Sequence, residues 1–175
     1  MSPEELLQQY QTARIKTDEK LTRLVNNPFM FRMFLLGKLP MAFFAGVRIK
    51  HFDANQCSIT VPYKWLNQNP FRSTYFAVLA MTAEISTGIP SLLAVAPKNP
   101  SVAMLVTHAE ADFMKKATGL STFTCLQGQE ITHTVEKAIL TGEGQTFDAL
   151  TTGVTESGET IARFKIQWSF KMRGG

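Results

Sequence analysis

Hydrophobic and polar positions follow two rhythms along this chain. Up to about residue 45 the period is helical. Leu6, Tyr10, Ala13, Thr17, Leu21 and Leu24 recur at helical spacing between Gln, Lys and Arg, which predicts a first helix over residues 2–25. Ser2, Pro3 and Glu5 form a capping box with proline at the first helical position. Asn26-Asn27-Pro28 ends that helix and starts another. Phe29 to Gly46 is the most apolar stretch of the chain. Arg32 and Lys38 would each cost about 2.5–3.5 kcal/mol near a bilayer centre, and Gly37 and Pro40 interrupt the helix. No integral membrane segment is therefore expected. A buried helix, or a lid over an apolar pocket, is the preferred reading, with a helix lying on a membrane surface as the alternative.

From Val47 the period falls to two. Val47, Ile49 and His51 alternate with Arg48 and Lys50, then Cys57, Ile59, Val61 and Tyr63 alternate with polar residues. Two strands joined by a turn at Asp53-Ala54-Asn55 are predicted. Pattern returns to helix over about Thr74–Thr87, with Ser73 or Thr74 as N-cap, Gly88 just past the end and Pro90 preventing continuation. Tyr75, Phe76, Val78, Leu79, Met81 and Ile85 surround this helix, and a helix apolar on all sides is buried. Extended pattern resumes through Phe113, and again from Thr122 to Leu140 with a bend at Gly128. Gly142-Glu143-Gly144 reads as a hairpin turn into a strand over 146–155, and Ser157-Gly158 as a turn into the last. In that last strand Ala162, Phe164, Ile166, Trp168, Phe170 and Met172 face one way and polar residues the other. The expected architecture is α+β: N-terminal helices, then a curled antiparallel sheet around one central buried helix.

Composition changes this picture little. A length of 175 residues suits one domain, and 45% hydrophobic against 18% charged content excludes a disordered chain. The net charge of +4 is spread, with no basic cluster longer than Lys115-Lys116; a small phosphate-bearing partner explains it as well as nucleic acid does, and no nucleic acid partner is expected. Cys57 and Cys125 have no metal or redox spacing and read as buried thiols of a reducing compartment. With no signal-peptide pattern at the N-terminus, a cytoplasmic location is expected.

Chemistry concentrates in the central helix. Glu84 is its one charge, and its helical neighbours are Ala77, Ala80, Met81 and Gly88. A carboxylate on such a strip is poorly solvated. No capping box closes the first turn, so the amides there are free to meet an anion or a developing oxyanion. Elsewhere the candidates are weak. His108, Glu110 and Asp112 share a strand face, but polar alternation on a solvated side explains them without a metal. No serine lies in a Gly-x-Ser-x-Gly elbow, and Gly142-Glu143-Gly144 lacks a dinucleotide-loop context, so no metal or cofactor is expected.

The element order and the residues around the helix resemble hotdog-fold acyl-CoA thioesterases of the phenylacetate-pathway and hydroxybenzoyl-CoA types. Their motif is an amide side chain, His-Gly-Gly six residues later, and a carboxylate nine residues after the His. Asn69, Tyr75-Phe76-Ala77 and Glu84 stand at that spacing, and Lys115-Lys116-Ala117-Thr118-Gly119 stands where the family has its arginine-proline-x-x-glycine segment. The resemblance implies a hotdog domain over 46–175 after an N-terminal helical extension over 1–45. It implies Glu84 as general base or nucleophile, Asn69 as the group orienting water or thioester, and the Phe76 amide as oxyanion donor. Substrate contacts would come from Tyr75, Ala77, Ala80 and Met81, and Lys115 and Lys116 would grip coenzyme A phosphates. It also implies a homodimer, with a tetramer as a further possibility.

Plainer readings stand beside these. Glu84 can reach the rim or pair with Arg72, Asn69 can serve only its Asn-Pro turn, Tyr75 can be core, and the two lysines can be a solvated pair. Two functions follow. One is hydrolysis of a medium- or long-chain acyl thioester carried by coenzyme A or an acyl carrier protein. The other is a non-catalytic hotdog module that binds an acyl group or fatty acid, or a dimeric scaffold.

Overall fold

A computed structural model describes residues 2–173; residues 174 and 175, the end of the expected hotdog domain, lie outside the described residues. Three helices come first: α1 (Pro3–Asn26), α2 (Pro28–Lys38) and α3 (Pro40–Ala45). The Ser2 capping box is present in both directions, and the Asn27 side chain caps α2 by accepting from the Phe29 and Met30 amides. Strands β1 (Arg48–Phe52) and β2 (Cys57–Val61) form the expected hairpin, with Asp53 Oδ1 accepting from the Asn55 and Gln56 amides at its turn. Helix α4 (Phe76–Ala94) and strands β3 (Val102–Phe113) and β4 (Ser121–Cys125) follow, then α5 (Gly128–Thr141), β5 (Gln145–Val154) and β6 (Thr160–Met172).

All six strands join one antiparallel sheet in the order β1-β2-β4-β5-β6-β3. The sheet stays open, with β1 and β3 at its edges, and curls around α4, which packs against β2, β4, β5 and β6. Along the last strand Ala162, Phe164, Ile166, Trp168 and Phe170 are buried as the alternation requires, while Met172 at its end is half-buried and Ile161 on the opposite face is buried as well. Trp168 faces the helix and donates its indole N–H to Thr87 Oγ1 at 3.0 Å.

Three local expectations give way to tertiary packing. The extended reading over Thr122–Leu140 holds only to Cys125, and the remainder is α5. Ile131, Val135, Ala138 and Ile139 are fully buried and spaced as one helical stripe, so the 3.6-residue period wins there. Gly128 is a close approach rather than a strand bend, because a Cβ there would lie 2.3 Å from the Ala54 carbonyl oxygen. The segment at Gly142 is accordingly a helix C-cap in the left-handed region (φ 70°), not a hairpin turn. Two helices therefore lie against the sheet, since α5 packs on α4, β5 and β6.

Helix α4 also runs past Gly88 and Pro90 to Ala94, and its N-cap is Tyr75, not Ser73 or Thr74. Proline inside a helix removes one hydrogen bond, which costs about 3 kcal/mol. Burial of Ile89, Leu93 and Ala94 offsets this, and the helix end gains a partner from outside. The buried Tyr10 hydroxyl of α1 donates to the Ala94 carbonyl at 2.8 Å. Asn26 makes a second tie, bonding both the amide and the carbonyl of Phe52 in β1. Tyr10→Phe strands the Ala94 carbonyl in the interior, so a stability loss of about 1–3 kcal/mol is expected in urea unfolding. An unchanged midpoint would mean that α1 does not hold the end of α4.

By length and composition α4 is the one helix among the described residues apolar enough to cross a membrane, but over half of that stretch is buried inside the protein. Cys57 and Cys125 are free, buried and opposite one another on β2 and β4.

Candidate functional site

The first half of the site is the entry to α4. The loop before it closes on itself: Asn69 Oδ1 accepts from the Phe71 and Ser73 amides at 2.9 and 3.2 Å and from Ser73 Oγ at 3.2 Å. Within this chain the Asn69 side chain is thus engaged in its own turn. The turn forces Arg72 to φ 57°, an uncommon conformation for a residue with a side chain. Tyr75 is extended (φ −61°, ψ 133°), and no side chain caps the helix. Among the described residues nothing engages the Phe76 and Ala77 amides, so both point outward with the positive end of the helix dipole behind them.

A cavity of about 490 Å³ opens in front of these amides. Asn69, Tyr75, Phe76, Phe113, Lys115 and Lys116 are among the residues that line it. Lys116 Nζ lies 3.4 Å from the Phe71 carbonyl, and Lys115 pairs with Glu159. Both ammonium groups are exposed at the rim. An edge-to-face aromatic series runs inward from this cavity. Tyr75 meets Phe76, Phe76 meets Phe113, and Phe113 meets Phe164, with ring centroids 5.0, 6.3 and 5.6 Å apart.

The second half is Glu84, and it opens into a different cavity. That space, about 370 Å³, is walled by Phe34 and Leu39 from the N-terminal helices, by Ile85, Gly88, Ile89 and Leu92 of α4, and by Met104, Leu105, Val106 and Trp168 of the sheet. Among the described residues Glu84 is the only charged side chain in the wall. Its carboxylate lies over Gly88, where an added Cβ would sit 3.1 Å from Oε1 and 3.3 Å from the Trp168 ring. Burial raises its pKa above the ordinary 4.5, and no ion pair opposes this among the described residues. The alternative partner Arg72 is exposed and leaves Glu84 alone.

A family model described as a domain of unknown function (DUF4442) matches residues 29–170. The chain belongs to this family.

No functionally curated protein matches the sequence. Solved structures match the fold across nearly their full length. A Shewanella oneidensis protein provisionally described as a thioesterase superposes with a TM-score of 0.67 at 12% identity, over 85% of this chain and 98% of its own. A Pseudomonas aeruginosa protein of unknown function, provisionally assigned as a thioesterase, gives 0.68 at 15% identity, over 86% and 99%. A thioesterase from Haemophilus influenzae gives 0.56 at 15% identity, over 89% and 90%. The fold of this DUF4442 member is the hotdog fold, with the helical preface packed onto it.

The DUF4442 chain thus brings Asn69, Tyr75, Phe76, Lys115 and Lys116 around one cavity and sets Glu84 in another. Ala77, Ala80 and Met81 are half-buried on α4 and line neither. Eight residues separate Phe76 from Glu84, which is about 12 Å of helix at 1.5 Å per residue. An oxyanion donor and a base or nucleophile must both lie about 3 Å from the same thioester. One chain therefore cannot direct both groups at one carbonyl.

Sequence reasoning missed the walls of the Glu84 cavity. Trp168 and Val106 carried a burial signal but nothing that tied them to a carboxylate. His108 hydrogen-bonds Glu110 at 3.0 Å and Glu110 pairs with Lys165 at 2.9 Å, on an exposed face. Among the described residues no group of three or more His, Cys, Asp or Glu is arranged to hold a metal.

Proposed function

We propose that this protein hydrolyses the thioester of a medium- or long-chain acyl group carried by coenzyme A or an acyl carrier protein, at a site assembled from two subunits. The observation that carries this reading is Glu84, a half-buried carboxylate with a raised pKa and no ion-pair partner among the described residues, in an apolar cavity. Poor solvation makes that carboxylate a stronger base, able to activate water or attack the thioester carbon. The hotdog likeness to proteins described as thioesterases supports the same chemistry.

The oxyanion would be met by the Phe76 amide at the start of α4, a donor that depends on backbone alone. Because that amide stands about two turns from Glu84 on the same helix, the reading requires the α4 entry of one subunit to approach Glu84 of the other. Edge strand β3 offers the means. Among the described residues its strand pairs only with β6, and a two-fold axis beside it would satisfy the open edge by pairing β3 with its copy. Asn69 then shapes the loop that presents the amide, and Lys115 and Lys116 stand where a phosphate-bearing carrier would enter. Phe34 and Leu39 support an extended acyl chain over a small aromatic acid, since they wall the Glu84 cavity from the N-terminal helices.

The non-catalytic reading, a hotdog module that holds an acyl group or fatty acid, is favoured by one observation: Asn69 is committed to its own turn. Release of free thiol across a series of acyl-CoA chain lengths decides between them. Turnover that rises with chain length and is lost in Glu84→Gln supports the enzyme. Absence of turnover at every length leaves the binding module.

A further inference from the structure

We propose that the face formed by α2, α3 and the 3₁₀ turn at Trp65–Asn67 docks on an anionic lipid surface.

The outward side of α2 carries Phe29, Met30, Met33 and Leu36, at spacings that place them on one helical face. Met41 and Phe44 continue it on α3, and Trp65 and Leu66 extend it from the turn. The pieces are tied together, since Lys64 Nζ donates to the Phe44 carbonyl at 2.7 Å and Asn67 Nδ2 to the Ala45 carbonyl at 2.8 Å. Exposure here is large: 68% for Phe29, 75% for Met41 and 78% for Trp65. Monomeric proteins rarely leave so continuous an apolar surface to water.

Charge identifies the occupant. Residues 20–83 contain eight Lys and Arg and a single carboxylate, Asp53, while the rest of the chain carries ten cations against thirteen carboxylates. Lys38 is exposed at the end of α2, Arg48 and Lys50 are exposed on β1, which packs against α2, and Lys64 is half-buried against α3. Arg48 lies close enough to Arg32 to help lower its pKa. A second copy of the chain would fit badly, because a two-fold interface sets each patch against itself and would bring these cations together with no acid between them. Apolar side chains rimmed by Lys and Arg match the boundary of an anionic bilayer, where the rings enter the acyl region and the cations meet headgroups. The face also reaches the Glu84 cavity, as Leu39 is both exposed on it and part of that wall. Vesicle binding is read without any turnover, so the proposal does not depend on the thioesterase reading.

Cosedimentation with phosphatidylcholine vesicles, and with vesicles of equimolar phosphatidylcholine and phosphatidylglycerol, tests it. The full chain should bind the anionic vesicles at least about tenfold more tightly and lose that preference in high salt. Lys38→Glu with Lys50→Glu should weaken binding by on the order of 25-fold or more, from about fivefold per cation. Phe29→Ser with Met41→Ser should weaken it as well while leaving the oligomeric state unchanged by light scattering. Absence of binding, equal binding to both vesicle types, or unaltered binding by either double variant would overturn the proposal. A Phe29→Ser, Met41→Ser variant that dissociates an oligomer would assign the face to a second copy instead.

Discussion

Glu84→Gln is expected to lower thioester turnover by about 10²–10⁴-fold if the carboxylate transfers a proton, and by more if it is the nucleophile. Glutamine keeps the volume and the polarity of the tip, so the cavity walled by Trp168, Phe34 and Leu39 stays intact. Asn69→Ala should cost much less, because it removes a loop contact and no reacting group. The same glutamine variant should be more stable at neutral pH. Burial raises the folded-state pKa, so between the ordinary value and the raised one the folded chain keeps a proton that the unfolded chain has released. Stability conferred by the protonated group is present below the ordinary glutamate value and falls as pH rises through the raised one. The uncharged amide of the variant has no such dependence. Urea unfolding should therefore show a gain at neutrality and none in acid below the ordinary value. Full turnover in Glu84→Gln would remove the carboxylate from the chemistry, whatever the stability.

The second large effect concerns an amide. Phe76→Pro deletes the proposed oxyanion donor without breaking the helix, because proline is well suited to the first helical position. The residue before a proline must be extended, and Tyr75 already is, at φ −61° and ψ 133°. No protein partner loses a hydrogen bond, since the Phe76 amide has none among the described residues. Phe76→Ala is the companion variant, removing the ring that meets Phe113 while keeping the N–H. Phe76→Pro should fall a further 10²–10³-fold or so in kcat below Phe76→Ala. Equal activity in the two would put the oxyanion donor elsewhere. Mixing Phe76→Pro with Glu84→Gln chains then reads the assembly. If the site spans two subunits, mixed dimers hold one intact site and recover activity that neither parent shows.

Much of this was legible because local and global demands coincide. The alternation of residues 162–172 needed no context: one face buried and one wet is the only arrangement that suits it. The Ser2–Glu5 box and Asn27-Pro28 work through neighbours in the chain, so they could be placed without the fold. Helix α5 was hidden because Thr122–Cys125 alternates convincingly just upstream, and the apolar stripe from Ile131 to Ile139 was absorbed into the same strand. Pro90 misled for a related reason. Its cost is local, whereas its compensation, Tyr10 on the Ala94 carbonyl, comes from a helix more than eighty residues earlier. Glu84 stood out as one charge in an apolar helix, but its cavity draws on α2, β3 and β6, and no short pattern encodes such a wall. The separation of Glu84 from the α4 entry was present in the spacing all along, as the rise of a helix converts eight residues into about 12 Å.

Strand order also bears on how the chain is made. β3 ends at Phe113, and β6, its one partner among the described residues, begins at Thr160. While the ribosome is still adding the intervening segment, a twelve-residue strand with open backbone groups on both sides has nothing native to join. Long-range pairing of this kind is slow and leaves nascent chains open to mispairing. β6 therefore acts as a closing strand, bridging β5 and β3 only once residues 160–172 have emerged. A chain cut short ahead of Thr160 would lose the zipper that joins two strands.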